Sequence, residues 1–288
     1  MMIIPPQLSA NCNKTPEGHT WLGDLPALLQ KLKKHWSLQV GPPFEHGTCS
    51  WVAPVLRSDG TPAVLKLGMP HMEGRDEIEG LRFWNGGATV RLFEADDQHW
   101  AMLLERCLPG TVLRSEPEPT QDVIITTLLR RLWKVPPPGS GLNHFRHLSA
   151  LVELWGLETL TQRRAWPDAA LVEDGMHMMR QLAHPASTDT VLVGDLHAGN
   201  VLKSEREPWL VIDPKPFVGD RSYDPVQHLI NCETRLHTDP IGLVRRVADL
   251  AEVDVERVRL WTFARAAADP RDDWKNTRWM EIARKLSH

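Results

Sequence analysis

Cysteine is scarce in this chain: there are four, at 12, 49, 107 and 232, and no two form a C-x-x-C pair. That scatter excludes a zinc ribbon and a disulfide framework, and it points to a reducing cytoplasm. Basic charge is not in excess either. Lys plus Arg total 33 against 37 Asp plus Glu, so the balance draws in neither nucleic acid nor an anionic membrane surface. No apolar run is long enough to span a bilayer, and the start, MMIIPPQLSANC, lacks the basic flank and apolar core of a signal peptide. Tyrosine occurs once against 12 tryptophans, which are spread along the chain as packing residues rather than clustered as stacking platforms. What remains is a cytoplasmic protein whose partner is a small molecule.

The chain has 288 residues, which at about 150 residues per domain suggests two packed units. Leu25, Leu28, Leu29, Leu32 and Trp36 share one helical face, predicting a helix over 24–36 capped by Asp24. In SWVAPVLRSDGTPAVLKLG two β-branched runs flank Asp59-Gly60, a hairpin signal that places Lys66 on the returning strand. A helix over 73–84 and two strands around Asp96-Asp97 complete a small sheet-rich N-terminal lobe. From Pro109-Gly110 the pattern turns helical, with helices expected over 121–134, 144–156 and 167–184, separated in part by Pro136-Pro137-Pro138-Gly139 and with Pro167 in a first turn. Asp239-Pro240 and Asp254 mark two further helix starts, and 272–286 a last helix. The lobes are therefore assigned to 1–106 and 107–288.

The segment VLVGDLHAGNVL places Asp195, His197 and Asn200 inside an otherwise apolar run. After it, VLKSEREPWLVID reads as a strand, a polar turn and a return strand. Such a hairpin folds Asn200 back beside Asp213, so that an amide oxygen and a carboxylate can meet one hard cation. Magnesium takes oxygen donors and keeps water and substrate phosphates among its ligands, so two protein ligands suffice. Asp195 is then left to accept a hydroxyl proton. The D-x-x-x-x-N spacing, hairpin and second Asp match the catalytic parts of kinases.

These residues, with AVLKLG, EIEGLRFW and LLERCLPGTVL upstream in the right order, resemble the aminoglycoside and hydroxyurea phosphotransferase family, above all its streptomycin-type members, over roughly 36–240. The resemblance implies an α+β, protein-kinase-like bilobal fold: an N-terminal antiparallel sheet lobe, a mainly helical C-terminal lobe, and ATP with Mg2+ in the cleft. It implies Lys66 as the lysine that meets the nucleotide phosphates and Glu77 as the helix acid that holds it, with Glu73 and Glu79 as rivals, and a hinge from Glu105 to Cys107 whose backbone meets the adenine edge. Many relatives carry histidine two residues before the catalytic Asp, where this chain has Val193. The usual support of the loop backbone is then in question, and His197 could supply part of it or simply pack. DPK stands where protein kinases carry D-F-G. Gly47-Thr48, before the first long strand, is no Gly-rich phosphate loop.

Other features have plainer readings. Asp224 before Pro225 reads as a helix N-cap, and His228 with Cys232 as core packing. Only ten residues separate Asp213 from Asp224, too few for a peptide-docking activation segment, so the acceptor is a small hydroxyl compound. Residues 189–239 carry nine acids against five Lys or Arg, a net negative stretch suited to a cationic aminoglycoside such as streptomycin, whose guanidinium groups donate bidentate hydrogen bonds to carboxylates. Asp220 and Glu233 are the candidate substrate contacts, beside His197. The choice of streptomycin rests mainly on the resemblance. Hydroxyurea, an amino alcohol, or nucleotide binding without turnover are the alternatives.

Overall fold

The computed structural model describes residues 2–45, 47–72, 74–133 and 145–287. It divides into two compact units, Met1–Gly110 with Lys203–Leu210, and Thr111–Leu202 with Val211–His288. A single cut of the chain does not capture this division, because the tip of the hairpin after Asn200 groups with the first unit.

The first unit opens with α1 (Pro6–Cys12) and α2 (Pro16–His35). The second helix begins well before the expected residue 24: Thr15 Oγ1 accepts the Gly18 N–H at 3.1 Å, Pro16 fills the first turn, and Asp24 lies mid-helix. The turns PEGHTWLG carry no apolar stripe, so periodicity alone misses them. Five strands follow, β1 (Gln39–Val40), β2 (Ser50–Leu56), β3 (Pro62–Gly68), β4 (Leu92–Asp96) and β5 (Ala101–Glu105), in an antiparallel sheet of order β1-β2-β3-β5-β4. The predicted β2–β3 hairpin is present, with Ser50 opposite Gly68 and Leu56 opposite Pro62. In the turn the Asp59 carboxylate accepts the Thr61 N–H at 2.9 Å.

Alternation sends Trp51, Ala53, Val55, Ala63, Leu65 and Leu67 into one core with Leu25, Leu29 and Leu32 of α2. Lys66, between Leu65 and Leu67, therefore points to the opposite face. There it meets α3 (Glu77–Trp84), which is shorter than the 73–84 expected and ends at Asn85 in the left-handed region (φ 47°).

The division falls within β6 (Pro109–Val112), β8 (Val201–Ser204) and β9 (Trp209–Val211), and the second unit holds α4 (Glu118–Leu132), α5 (Leu148–Thr161), α6 (Ala169–Leu182), β7 (Thr190–Leu192), β10 (Phe217–Gly219) and α7 (Asp224–Ile230). It closes with α8 (Glu233–Thr238), α9 (Pro240–Ala251), α10 (Val255–Ala268) and α11 (Arg278–Leu286). The helix expected at 167–184 is capped by Asp168, whose carboxylate accepts the Leu171 N–H at 3.2 Å, so Pro167 precedes the cap instead of sitting in the first turn. Asp239 and Asp254 cap α9 and α10 as their positions suggest. The proline run at 136–138, Gly139 and the expected start at 144 lie outside the described residues.

Helix α10 is the spine of this unit, with Ala264, Ala266, Ala267 and Ala268 buried. Gly175 of α6 lets the two helices meet closely: a Cβ there would lie 2.6 Å from that of Ala267. Strands β7 and β10 pair antiparallel, Leu192 opposite Phe217 and Thr190 opposite Gly219, and this short ribbon carries the loop that follows. Among the described residues no helix is long and apolar enough to cross a membrane.

Candidate functional site

Beyond Leu192 the chain continues from β7 into the loop that holds Asp195. The loop is held from two sides. Lys215, just before β10, donates its backbone N–H to Val193 O at 2.8 Å. Gly194 has φ +78°, and a Cβ on it would fall 1.9 Å from Lys215 O, so only glycine permits this approach. From below, the Asp224 carboxylate accepts the Val193 and Gly194 N–H groups at 2.9 Å each and the Trp133 indole N–H at 2.7 Å.

Asp224 is thus not the N-cap its sequence context suggests. Tyr223 occupies that place, and Asp224, 1% exposed, supplies the loop support that Val193 had put in question. Burial pushes the Asp224 carboxyl up to about 6, against the three N–H groups that favour its charge. A folded-state value above the ordinary 3.8 means the native state binds the proton more tightly. The group's stabilising contribution is then complete below pH about 4, is lost as pH rises to about 6, and is constant above that. The melting temperature of the wild type relative to Asp224→Asn should accordingly fall between pH 4 and 6 and level off; a difference independent of pH would contradict it.

Asp195 holds the centre of the loop, its side chain 13% exposed. Its Oδ1 accepts from Gln227 Nε2 at 2.6 Å and its Oδ2 from Lys215 Nζ at 2.6 Å. Gln227 is itself oriented, because its Oε1 accepts from Arg265 Nη1 at 2.8 Å. Arg265 lies over the Trp155 and Tyr223 rings at 4.8 and 5.4 Å and pairs with Asp269 at 2.9 Å. Burial opposes its charge, yet the Asp269 carboxylate holds its pKa above the ordinary arginine value. Gln227, Arg265 and Lys215 carried no signal in the sequence reading beyond the DPK departure, since one sits in an apolar helix and another in an alanine-rich one.

His197 caps the turn after Asp195 by accepting the Gly199 N–H at Nδ1, 3.0 Å away, and its Nε2 is 3.8 Å from Asp195 Oδ1. Burial lowers its pKa, so near neutral pH the ring is uncharged. Asn200 donates its side-chain N–H to the Asp195 carbonyl at 2.9 Å, which turns the amide oxygen to the other side. The Ile212 N–H donates to Asn200 O at 2.9 Å, so the hairpin returns the chain beside Asn200, with Asp213 next in the left-handed region (φ 53°). The hairpin thus brings the two residues together along the backbone, and an amide oxygen and a carboxylate are the kinds of hard donor that suit Mg2+.

In the first unit Lys66 Nζ bridges both Glu77 oxygens, at 2.6 and 2.7 Å, and both residues are buried. Glu79 instead pairs with Arg82 on the surface, and Glu73 lies outside the described residues. Glu105 is gripped by Arg206 through two 2.8 Å bonds, while the same guanidinium donates to Gly86 O and Thr89 O. The Glu105 carboxylate is thereby committed, and its backbone N–H donates to Arg91 O at 2.8 Å. Burial pushes the Cys107 thiol up to about 11, so near neutral pH it stays protonated.

Two substrate candidates have partners within the fold. Asp220 accepts from Ser222 N, from Trp261 Nε1 at 2.9 Å and from Arg257 Nε at 2.8 Å, so its carboxylate ties a turn to α10 and is saturated by the fold. Glu233 faces Arg278 at 3.3 Å at the start of α8. Part of the acidity of this stretch is thus taken up by Arg257 and Arg278. His228 and Cys232 do form a buried trio with Asp122, but Asp122 already bonds Arg235 and Arg246 at 2.9 and 2.8 Å. Two guanidinium groups neutralise it, so the trio packs.

Comparison with known proteins gives the family and the fold. The model of the family described as aminoglycoside/hydroxyurea antibiotic resistance kinase matches residues 35–271. A streptomycin 6-kinase from Streptomyces glaucescens is 37% identical over 280 residues, 92% of this chain and 89% of its own. A hydroxyurea phosphotransferase from Kitasatospora aureofaciens is 35% identical over 255 residues, 86% of this chain and 73% of its own. Among solved structures the choline kinase LicA from Streptococcus pneumoniae matches with a TM-score of 0.60 at 12% identity, over 91% of this chain and 99% of that one, and LicA has also been solved with AMP. The fold is the protein-kinase-like one shared by such small-molecule kinases.

Proposed function

The chain belongs to the aminoglycoside/hydroxyurea antibiotic resistance kinase family, and we propose that within it the protein transfers the γ-phosphate of ATP to a hydroxyl of an aminoglycoside, streptomycin. The observation that carries this reading is the convergence of Asp195, Asn200 and the chain at Ile212–Asp213 around one loop. Asn200 and Asp213 would hold Mg2+, which with ATP supplies an activated phosphoryl group and neutralises its charge. Asp195 orients the acceptor hydroxyl and takes its proton, and Gln227 keeps the carboxylate at a fixed angle. Lys66, braced by Glu77, meets nucleotide phosphates, and the backbone at Glu105 to Cys107 meets the base. The streptomycin 6-kinase likeness, at 37% identity over most of both chains, supports the acceptor.

Incubated with Mg·ATP and a panel of streptomycin, hydroxyurea and choline, the purified protein should release ADP with streptomycin well above the others. Faster release with hydroxyurea would move the acceptor to that of the second relative, at 35% identity. A susceptible bacterium expressing the chain should grow on streptomycin, and Asp213→Ala should abolish that protection.

A further inference from the structure

We infer that Lys215 is a further catalytic residue, a cation that passes from the Asp195 carboxylate to the phosphoryl group in transfer. The inference rests on the phosphotransferase reading above. Three features lead to it.

First, the root of Lys215 is part of the catalytic loop: its N–H is bonded to Val193 O at 2.8 Å, and its carbonyl packs against Gly194 at a distance no other residue there would allow. Movement is confined to the side chain, a flexible four-carbon stem ending in a compact ammonium with three donors. Second, the two oxygens of Asp195 are held in different ways. Oδ1 is fixed by Gln227, which is oriented by Arg265, itself 5% exposed. Oδ2 is held closely, at 2.6 Å, by Lys215, whose side chain is 24% exposed and can exchange partners, with Asn200 Nδ2 farther off at 3.4 Å. An acceptor hydroxyl that docks on Oδ2 competes with the ammonium, and the carboxylate keeps its orientation through Gln227 when the ammonium yields.

Third, the reaction itself brings an anion to Asp195: the transferring phosphoryl oxygens, on which the yielding ammonium can act. During transfer the bond from acceptor oxygen to phosphorus forms, the bond from phosphorus to the ADP oxygen breaks with its electron pair leaving on ADP, and the hydroxyl proton goes to Asp195. Lys215 neither gives nor takes a proton. It stabilises charge on the equatorial oxygens, the contribution that positioned cations make in such transfers.

The test compares wild type, Lys215→Met, Lys215→Gln and Lys215→Arg. The first two should lose about 100-fold or more in kcat, the scale of removing one transition-state donor, with the streptomycin KM within about threefold, because an interaction made only in the transition state is gone. Lys215→Arg should recover part of the loss. By calorimetry all variants should bind Mg·ADP as wild type does, which also establishes folding, while the extra affinity that aluminium fluoride, a phosphoryl mimic, gives wild type with Mg·ADP should vanish in Lys215→Met and Lys215→Gln. Turnover within about threefold of wild type, or aluminium fluoride tightening that survives these changes or is missing from wild type, overturns the inference. Tightening that depends on Lys215 in a protein that phosphorylates none of the acceptors would overturn the streptomycin reading and uphold Lys215. Failure of wild type to bind Mg·ADP overturns both.

Discussion

Asp195→Ala should lower kcat by at least about 100-fold, and by as much as about 10,000-fold if proton transfer is fully rate-determining, the range for a positioned general base, while Mg·ADP binds as to wild type. The geometry gives two reasons for so large an effect. The carboxylate accepts from Gln227 and Lys215 at 2.6 Å each and from Asn200 Nδ2 at 3.4 Å, so its removal takes away the acceptor that orients the hydroxyl and the one these donors share. Asp195→Asn is the sharper variant. Its amide oxygen can still accept from Gln227, but its NH2 then faces the Lys215 ammonium, donor against donor. It should therefore be as inactive as alanine despite its matching shape. Turnover near that of wild type in either variant would remove Asp195 from the chemistry.

The parts of this site that were legible in the sequence are those encoded by local spacing. Asp195, Asn200 and Asp213 lie within a single loop and hairpin, and Lys66 sits beside an Asp-Gly turn, so turn chemistry and strand alternation suffice to place them. What escaped is long-range. Gln227 and Arg265 reach Asp195 from 32 and, through Gln227, a further 38 residues away, and nothing about a glutamine in an apolar helix distinguishes it beforehand. Asp224 was misread for the converse reason. A local motif, Asp before Pro, offered a cap, whereas the fold used the carboxylate to tie Val193 and Gly194 in place. Counting acids along the chain likewise cannot reveal that Arg257 and Trp261 both bond Asp220. Helix boundaries shifted where capping residues, Thr15 and Asp168, lay outside the apolar periodicity.

Lys66→Met should destabilise the protein by about 3 to 5 kcal/mol, the cost of breaking a buried ion pair on one side, and lower the melting temperature by on the order of 10 °C. Lys66 and Glu77 are 6% and 4% exposed and share a bidentate contact, so the variant takes the principal cation from a carboxylate that water cannot reach. Glu77→Ala should act similarly from the other side. A structural pair and a functional one differ in the double variant. Lys66→Met with Glu77→Leu replaces both charges by apolar groups of similar size, which in buried pairs is commonly neutral or stabilising, and most of the lost melting temperature should return. Turnover should not return, and the ATP KM should stay well above that of wild type, because the ammonium proposed to meet the nucleotide phosphates is still missing. A double variant that regained both stability and ATP affinity would reduce Lys66 to a packing role, and the nucleotide would have to be held by other groups.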